Sequence, residues 1–200
     1  MHTSDTFHNI NTLPLGEGRL EVVCGPMFSG KTEELLRRVR RSLIAHQPTV
    51  LIKPATDTRY AVKEVVSHDK NSMNSIVVEK SRDIFNAIEV NGRPALVVAI
   101  DEAQFFDDEL PDVCNELANR GLRVIVAGLD LDFTGKPFGC MPKLLALAEE
   151  VTKLHAVCVE TGRAAHFSHR IAGGDKTVEL GEKDLYIPLA RHAFVAGRKK

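Results

Sequence analysis

The stretch Gly25-Pro-Met-Phe-Ser-Gly-Lys-Thr32 decides the fold of this chain. It fits the pattern G-x-x-x-x-G-K-[ST] and lies between an apolar, strand-like segment at 20–24 and a run with helical periodicity. In such a loop, successive backbone N–H groups point into one concavity, and the positive end of the following helix adds its attraction for anions. The sequence therefore predicts a phosphate-binding P-loop, and we expect the chain to bind a nucleoside triphosphate.

The loop residues have distinct expected roles. Lys31 should reach the β- and γ-phosphates, and the Thr32 hydroxyl should bind Mg²⁺. The expected nucleotide contacts in the loop are Gly25, Pro26, Met27, Phe28, Ser29, Gly30, Lys31 and Thr32. The alternative is a glycine turn that caps a helix and carries Lys-Thr by chance, and the strand and helix on its two sides argue against it.

Strand and helix patterns alternate after the loop. Apolar runs fall at 50–52, 65–66, 76–78, 95–100 and 122–127, and helical patterns at 31–46, 107–120 and 142–150. The two longest apolar runs are nearly continuous, as expected for parallel strands that are covered on both faces. The pattern predicts an α/β fold, a parallel sheet flanked by helices, with its ligand at the carboxyl ends of the strands.

The chain divides into four regions. Residues 1–17 are expected to form a flexible tail, 18–150 the P-loop domain, and 195–200 a second tail. The region 151–194 is short of long apolar runs and rich in glycine, and it carries four of the eight histidines, so we expect a small loop-rich subdomain.

Composition excludes several classes of protein. The 200 residues are 44% apolar with a formal charge of −1, which gives no basic surface for a nucleic-acid polymer. No stretch approaches the roughly 18 consecutive apolar residues of a membrane-spanning helix, so we expect a cytoplasmic protein without a membrane partner. The four cysteines form no close pair and are expected to be reduced.

The apolar run at 95–100 ends in two acids, Asp101 and Glu102. In P-loop proteins, one strand-end carboxylate holds Mg²⁺ and another group orients the nucleophile. Since adjacent strand residues point to opposite sides, we expect Asp101 on the metal side, through a water, and Glu102 as the base. A solvated acidic turn is the alternative. Glu102 could activate water in an ATPase or a substrate hydroxyl in a kinase.

Five motifs follow one another along the chain. They are Gly25-Pro-Met-Phe-Ser-Gly-Lys-Thr32, Asp57-Thr-Arg-Tyr60, Ser67-His-Asp69, Asp101-Glu-Ala-Gln-Phe105 and Phe133-Thr-Gly-Lys-Pro-Phe-Gly139. In this order and at these distances, the set resembles thymidine kinases of the zinc-lasso type, a family with a RecA-like P-loop domain. The resemblance runs from about Gly18 to Phe194. It implies a homotetramer in the cytosol, with ATP and thymidine as substrates.

The resemblance also implies residue roles. Glu102 matches the general base that takes the proton from the 5′-hydroxyl of thymidine as the γ-phosphoryl group moves across. Asp57, Thr58 and Arg59 match a segment beside the phosphates and the sugar, where Arg59 would stabilise the transferred group; a surface arginine is the alternative. Gln104, in the motif that begins with Asp101, is expected among the nucleotide contacts.

The nucleoside contacts are implied in the same way. Met27, Phe105 and Phe133 match positions that pack near the nucleoside, although such residues are more often core. The lasso, whose main chain hydrogen-bonds the pyrimidine edge in the family, matches Thr177, Val178, Glu179, Leu180, Gly181 and Tyr186.

The chain departs from the family at the zinc site. The four expected ligand positions are occupied by Cys158, Thr161, Ala190 and Ala193. A structural zinc site needs four nitrogen or thiolate ligands, so we expect no zinc there and a lasso closed by packing or by a neighbouring subunit. A substitute site that uses Cys158 with His166, His169 and His192 is the alternative.

Two functions remain open from the sequence. The first is a kinase that makes dTMP and ADP from thymidine and ATP. The second is a P-loop ATPase or nucleotide switch in which Glu102 polarises water and the region 151–194 contacts a protein partner.

Overall fold

The computed structural model describes residues 17–55, 64–66, 72–171 and 185–197. Its strands are β1 (Arg19–Cys24), β2 (Thr49–Pro54), β3 (Glu64–Val66), β4 (Ser72–Asn74), β5 (Ile76–Val78), β6 (Glu89–Val90), β7 (Arg93–Pro94), β8 (Val97–Ile100), β9 (Arg123–Gly128), β10 (Glu150–Lys153), β11 (Ala156–Val157), β12 (Ala164–Ala165), β13 (Phe167–Arg170) and β14 (Tyr186–Leu189). Its α-helices are α1 (Lys31–Ile44), α2 (Ile84–Ala87), α3 (Leu110–Asn119), α4 (Met141–Leu147) and α5 (Arg191–Gly197).

The centre of the fold is a six-stranded sheet in the order β10-β1-β9-β8-β2-β5. All of its neighbouring strands pair in parallel. Every residue of β8 and β9 is buried, which explains why these two segments read as continuous apolar runs. The predicted α/β class, a parallel sheet flanked by helices, is confirmed.

Helices cover both faces of the sheet. On one face, the α1 residues Leu35, Leu36 and Val39 pack against β1, β2, β8 and β9. On the other face, α3 and α4 bury Leu117 and Leu144 against the same strands. The carboxyl ends of the strands therefore remain at one edge of the sheet, between the loops that follow them.

A buried acid joins the first strand to α1. Glu21 of β1 is 0% exposed. Its carboxylate accepts a bidentate pair of bonds from Arg123, at 2.6 and 3.0 Å, one from Arg38 at 2.6 Å and one from Arg19 at 2.7 Å. Burial alone would raise the pKa of Glu21, but the hydrogen bond and charge of Arg123, with the charges of Arg19 and Arg38, lower it.

The helix predicted at 142–150 is shorter than expected. α4 ends at Leu147, and Glu150 already begins β10, which pairs with β1. The chain leaves the helix because the Glu149 N–H donates to the Leu20 carbonyl at 3.0 Å. Residues 151–153, assigned above to the second region, therefore lie in the main sheet. β10 alternates between half-buried and exposed residues at the sheet edge, so it lacks the apolar run of an inner strand.

The region after β10 contains more regular structure than the sequence suggests. β11 pairs with β12 and β13 with β14, and both pairs are antiparallel. An apolar cluster under these hairpins includes Phe167 and Phe194, whose rings stack with centroids 4.4 Å apart. α5 continues to Gly197, so residues 195–197 are helical and not part of a tail. Within the described part of the chain, no helix is both long and apolar enough to cross a membrane.

Candidate active site

The P-loop connects β1 to α1 at the carboxyl edge of the sheet. Gly25 has φ 143°, and a Cβ there would lie 2.4 Å from the Leu154 carbonyl oxygen, so only glycine fits. Gly30 precedes α1 in the left-handed conformation, with φ 84°, and no described atom lies within 4 Å of its would-be Cβ. The loop therefore opens onto free space at the N-terminus of α1, where a phosphate group would bind.

Side chains of the loop fold over its own backbone. The Lys31 ammonium donates to the Pro26 carbonyl at 2.8 Å, and the Ser29 hydroxyl donates to the same oxygen at 2.8 Å. The Met27 N–H donates to the Ser168 hydroxyl oxygen at 2.9 Å. The loop is thus ordered internally by Lys31 and Ser29 and is tied to β13 by Ser168.

A hydrogen bond between two side chains joins the P-loop to the end of β8. The Thr32 hydroxyl donates to Oδ2 of Asp101 at 3.2 Å. The other carboxylate oxygen of Asp101 accepts from the Glu102 N–H at 2.9 Å. Burial, with the charge of Glu102, raises the pKa of Asp101 to about 7, while the Glu102 N–H, Lys31 and Thr32 act in the opposite direction.

Thr32 and Asp101 form a donor set that fits Mg²⁺. This ion prefers hard oxygen ligands and keeps several waters, and the pair offers a hydroxyl and a carboxylate at the N-terminus of α1. The structure therefore brings together the two residues that the sequence assigned to the metal.

Glu102 leaves β8 in an unusual conformation. Its φ and ψ are 52° and 42°, a left-handed geometry that non-glycine residues rarely adopt. Oε2 of Glu102 accepts a hydrogen bond from Nε2 of Gln104 at 2.5 Å, and Oε1 of Gln104 accepts one from the Leu129 N–H at 2.8 Å. Strained backbone of this kind concentrates at functional sites, so it supports a role for Glu102.

The expected nucleoside-binding aromatics occupy two places. Phe105 contacts Phe138 edge-to-face, with ring centroids 5.9 Å apart. Phe133 lies under Arg170, whose Cζ is 3.8 Å from the ring centroid. Arg170 also donates to the Tyr186 hydroxyl from Nε at 3.0 Å and from Nη2 at 2.8 Å. The guanidinium group therefore joins Phe133 to Tyr186.

Sequence reasoning missed Arg170 and Ser168. Both lie on β13, and Arg170 is directly opposite Tyr186 in the antiparallel register. Cross-strand partners of this kind interact, so a correct pairing of these two segments would have placed Arg170 beside Tyr186. The segment is too short and too polar to reveal that pairing from its pattern alone.

The positions that match the zinc ligands of the family do not offer a ligand set. Cys158, Ala190 and Ala193 are buried, and Thr161 is exposed. The proposed substitutes have separate neighbours: His166 packs edge-to-face on His155 at 4.4 Å, and His169 packs on Phe194 at 5.9 Å. Among the described residues, no group of three or more His, Cys, Asp or Glu side chains could hold a metal.

Several expected site residues lie outside the described residues. They are Asp57, Thr58, Arg59, Thr177, Val178, Glu179, Leu180 and Gly181. Their roles stay predictions.

A glycine loop on a parallel sheet, with its Thr hydroxyl against a strand-end carboxylate, is the arrangement of P-loop proteins that bind nucleoside triphosphates. The chain is a protein of this class. Residues 18–194 match the family model described as thymidine kinase. The chain belongs to the thymidine kinase family.

Individual relatives agree with the family assignment. The chain is 54% identical to a thymidine kinase of Bacteroides thetaiotaomicron, over 90% of this chain and 89% of the relative. It is 52% identical to a thymidine kinase of Porphyromonas gingivalis, over 88% of this chain and 85% of the relative. Domain III of the Thermotoga maritima replication initiation protein DnaA superposes with a TM-score of 0.42 at 16% identity, over 70% of this chain and 55% of that chain.

Proposed function

We propose that this chain transfers the γ-phosphoryl group of ATP to the 5′-hydroxyl of thymidine, giving dTMP and ADP. The observation that carries the proposal is the hydrogen bond between Thr32 and Asp101, because it holds the Asp101 carboxylate, at the end of β8, against the P-loop. Membership of the family identifies thymidine as the phosphoryl acceptor, since the relatives are named thymidine kinases.

The P-loop holds the donor. The backbone N–H groups of 28–32 and the dipole of α1 attract the phosphates, and Lys31 moves from the Pro26 carbonyl to the β- and γ-phosphates. Thr32 and Asp101 would hold Mg²⁺, which neutralises charge on the β- and γ-phosphate oxygens. Arg59 is proposed to stabilise the transferred group.

Glu102 is the proposed general base. Its carboxylate takes the proton of the 5′-hydroxyl while that oxygen bonds to the γ-phosphorus, and the bond from the γ-phosphorus to the β,γ-bridging oxygen breaks. ADP leaves with the electron pair of that bond. Positioned base catalysis of this kind contributes about 10²–10⁴-fold to the rate.

The nucleoside is proposed to lie between the loop and the second region. Met27, Phe105, Phe133 and Tyr186 supply apolar and aromatic contacts, and the segment 177–181 supplies main-chain hydrogen bonds to the pyrimidine. We further propose a homotetramer in the cytosol, on the resemblance to the family alone.

Dependence of ATP turnover on thymidine tests the function. We expect ADP release only when thymidine is present, with one dTMP formed for each ADP. A matched reaction with ribose in place of thymidine controls for hydrolysis stimulated by a sugar hydroxyl. ADP release at the same rate with and without thymidine would contradict the kinase and favour the ATPase.

A further inference from the structure

Gln104 is held at both ends of its side-chain amide. The residue is 4% exposed. Its Oε1 accepts from the Leu129 N–H at 2.8 Å, and its Nε2 donates to Oε2 of Glu102 at 2.5 Å. Gln104 thereby links the carboxylate of Glu102 to the chain just beyond the end of β9.

The orientation of this amide follows from chemistry. A backbone N–H can only donate, so the atom of Gln104 that faces Leu129 must be the oxygen. The amide nitrogen then faces Glu102, and because that nitrogen can only donate, Oε2 of Glu102 must accept. Gln104 therefore holds Glu102 with an unprotonated oxygen toward the amide.

The backbone around Gln104 leaves it little freedom. A Cβ on Gly128 would lie 2.9 Å from the side-chain oxygen Oε1 of Gln104. A Cβ on Gly139 would lie 2.7 Å from the main-chain carbonyl oxygen of Gln104. Real Cβ atoms do not approach so closely, so Gly139 makes room for the main chain of Gln104, and Gly128 makes room for its amide oxygen and for Met141, whose Sδ would lie 2.7 Å from the same Cβ. Because the Gln104 side chain is restrained, it can in turn restrain the Glu102 carboxylate that it binds.

The Glu102 side chain would not be held in one orientation by its own backbone, so a hydrogen bond from Gln104 can determine where its carboxylate points. Glu102 is half-buried and lies on the left-handed turn that ends β8, so its own backbone does not continue the strand. A long carboxylate side chain has several rotamers, and a general base works only when its oxygen points at the proton it removes.

We infer that Gln104 is a positioning residue that aims the Glu102 carboxylate and acts through Glu102 alone, without contacting the nucleotide. This differs from the nucleotide contact that the sequence suggested for Gln104. The inference rests on the proposed role of Glu102 as the base. A misplacement of about 1 Å at a reacting group costs about 10²-fold in rate, so losing this support should lower kcat while leaving substrate binding intact.

Two substitutions separate support from packing. Gln104→Glu keeps the size of the side chain and the acceptor for Leu129 but lacks the amide donor, and Gln104→Met keeps the length without either group. We expect each to lower kcat about 10–100-fold, with KM for ATP and thymidine changing less than twofold. Gln47→Met, at the opposite end of α1 from the P-loop, is the matched control and should retain kcat. Thermal melting curves are used to check that each variant is folded.

A double-mutant cycle with Glu102→Gln tests whether Gln104 acts through Glu102. In that background, Gln104→Glu should cause no further loss, because its target is already disabled. An equal further loss, a wild-type kcat for Gln104→Glu, or a KM for ATP that rises tenfold would overturn the inference. If Glu102→Gln itself retains full turnover, the base assignment fails instead, so the two failures are distinguishable.

Discussion

The backbone N–H of Met27, in the P-loop, donates to the hydroxyl oxygen of Ser168 on β13 at 2.9 Å. The two residues are 141 positions apart in sequence, and Ser168 is buried. This bond is a physical connection between the proposed ATP and nucleoside sides of the site. It also removes Met27 from the loop N–H groups that are free to bind phosphate.

Removing the Ser168 hydroxyl should loosen that connection. Ser168→Ala leaves the Met27 N–H without this partner, so we expect a loss of about 1 kcal/mol in the free energy of unfolding and a severalfold rise in KM for thymidine. Ser168→Thr keeps the hydroxyl and should stay close to wild type in both. Urea unfolding and steady-state kinetics measure the two effects, and identical behaviour of the alanine and threonine variants would contradict this role.

Lys31→Ala should weaken ATP binding and abolish transfer. The ammonium group neutralises charge on the β- and γ-phosphates, and a hydrogen bond to a charged group contributes about 1.5–3 kcal/mol, which corresponds to roughly a 10–100-fold loss of affinity. Lys143→Ala, an exposed lysine of α4, is the matched control. ATP titration by calorimetry checks both variants, and an unchanged affinity in Lys31→Ala would count against the P-loop assignment.

The buried acid Glu21 should matter for stability and not for catalysis. Glu21→Gln keeps the shape but leaves the Arg38 and Arg123 guanidinium groups without their buried anion, which typically costs about 3–5 kcal/mol. Glu116→Gln removes an exposed i,i+4 pair with Arg120 and should cost less than about 0.5 kcal/mol. Equal losses in the two variants would contradict the structural role of Glu21.

The contribution of Glu21 to the free energy of unfolding should also decrease as the pH is lowered. Because the folded protein lowers the pKa of Glu21, the stabilisation is complete above its unfolded pKa of about 4.3 and is lost as pH falls through the lower folded value. The stability gap between wild type and Glu21→Gln should thus be constant from pH 6 to 8 and shrink on acidification. Urea unfolding at a series of pH values measures it, and a gap that grows on acidification would oppose this assignment.

The features that could be predicted from sequence are local ones. The strand before Gly25, the loop and α1 are contiguous, and Asp101 directly follows a buried strand, so neighbouring residues carry the signal. The role of Gln104 depends on Leu129, 25 positions away, and that of Ser168 on Met27. β10 escaped prediction because an edge strand with one exposed face has no continuous apolar run. Contacts between residues far apart in the sequence produce no periodic pattern of apolar residues from which they could be predicted.

The second region should keep its structure without zinc. The residues at the four family ligand positions include Thr161, Ala190 and Ala193, which offer neither thiolate nor imidazole. Ala190 and Ala193 instead join an apolar cluster with Phe167 and Phe194. We propose that burial of this apolar cluster, and not a metal, holds the described part of this region together.

Elemental analysis and chelation test whether the second region is held together without zinc. We expect well under one zinc per chain, and a strong chelator should leave both Tm and thymidine phosphorylation unchanged, because in a zinc-dependent fold metal binding is part of the folding free energy. Phe194→Ala should lower stability by about 3–5 kcal/mol, as for other buried phenylalanines, whereas Val195→Ala, at an exposed position of the same helix, should have little effect. Stoichiometric zinc that disappears when His166, His169 or His192 is replaced would establish a substitute metal site and reject closure by the apolar cluster alone.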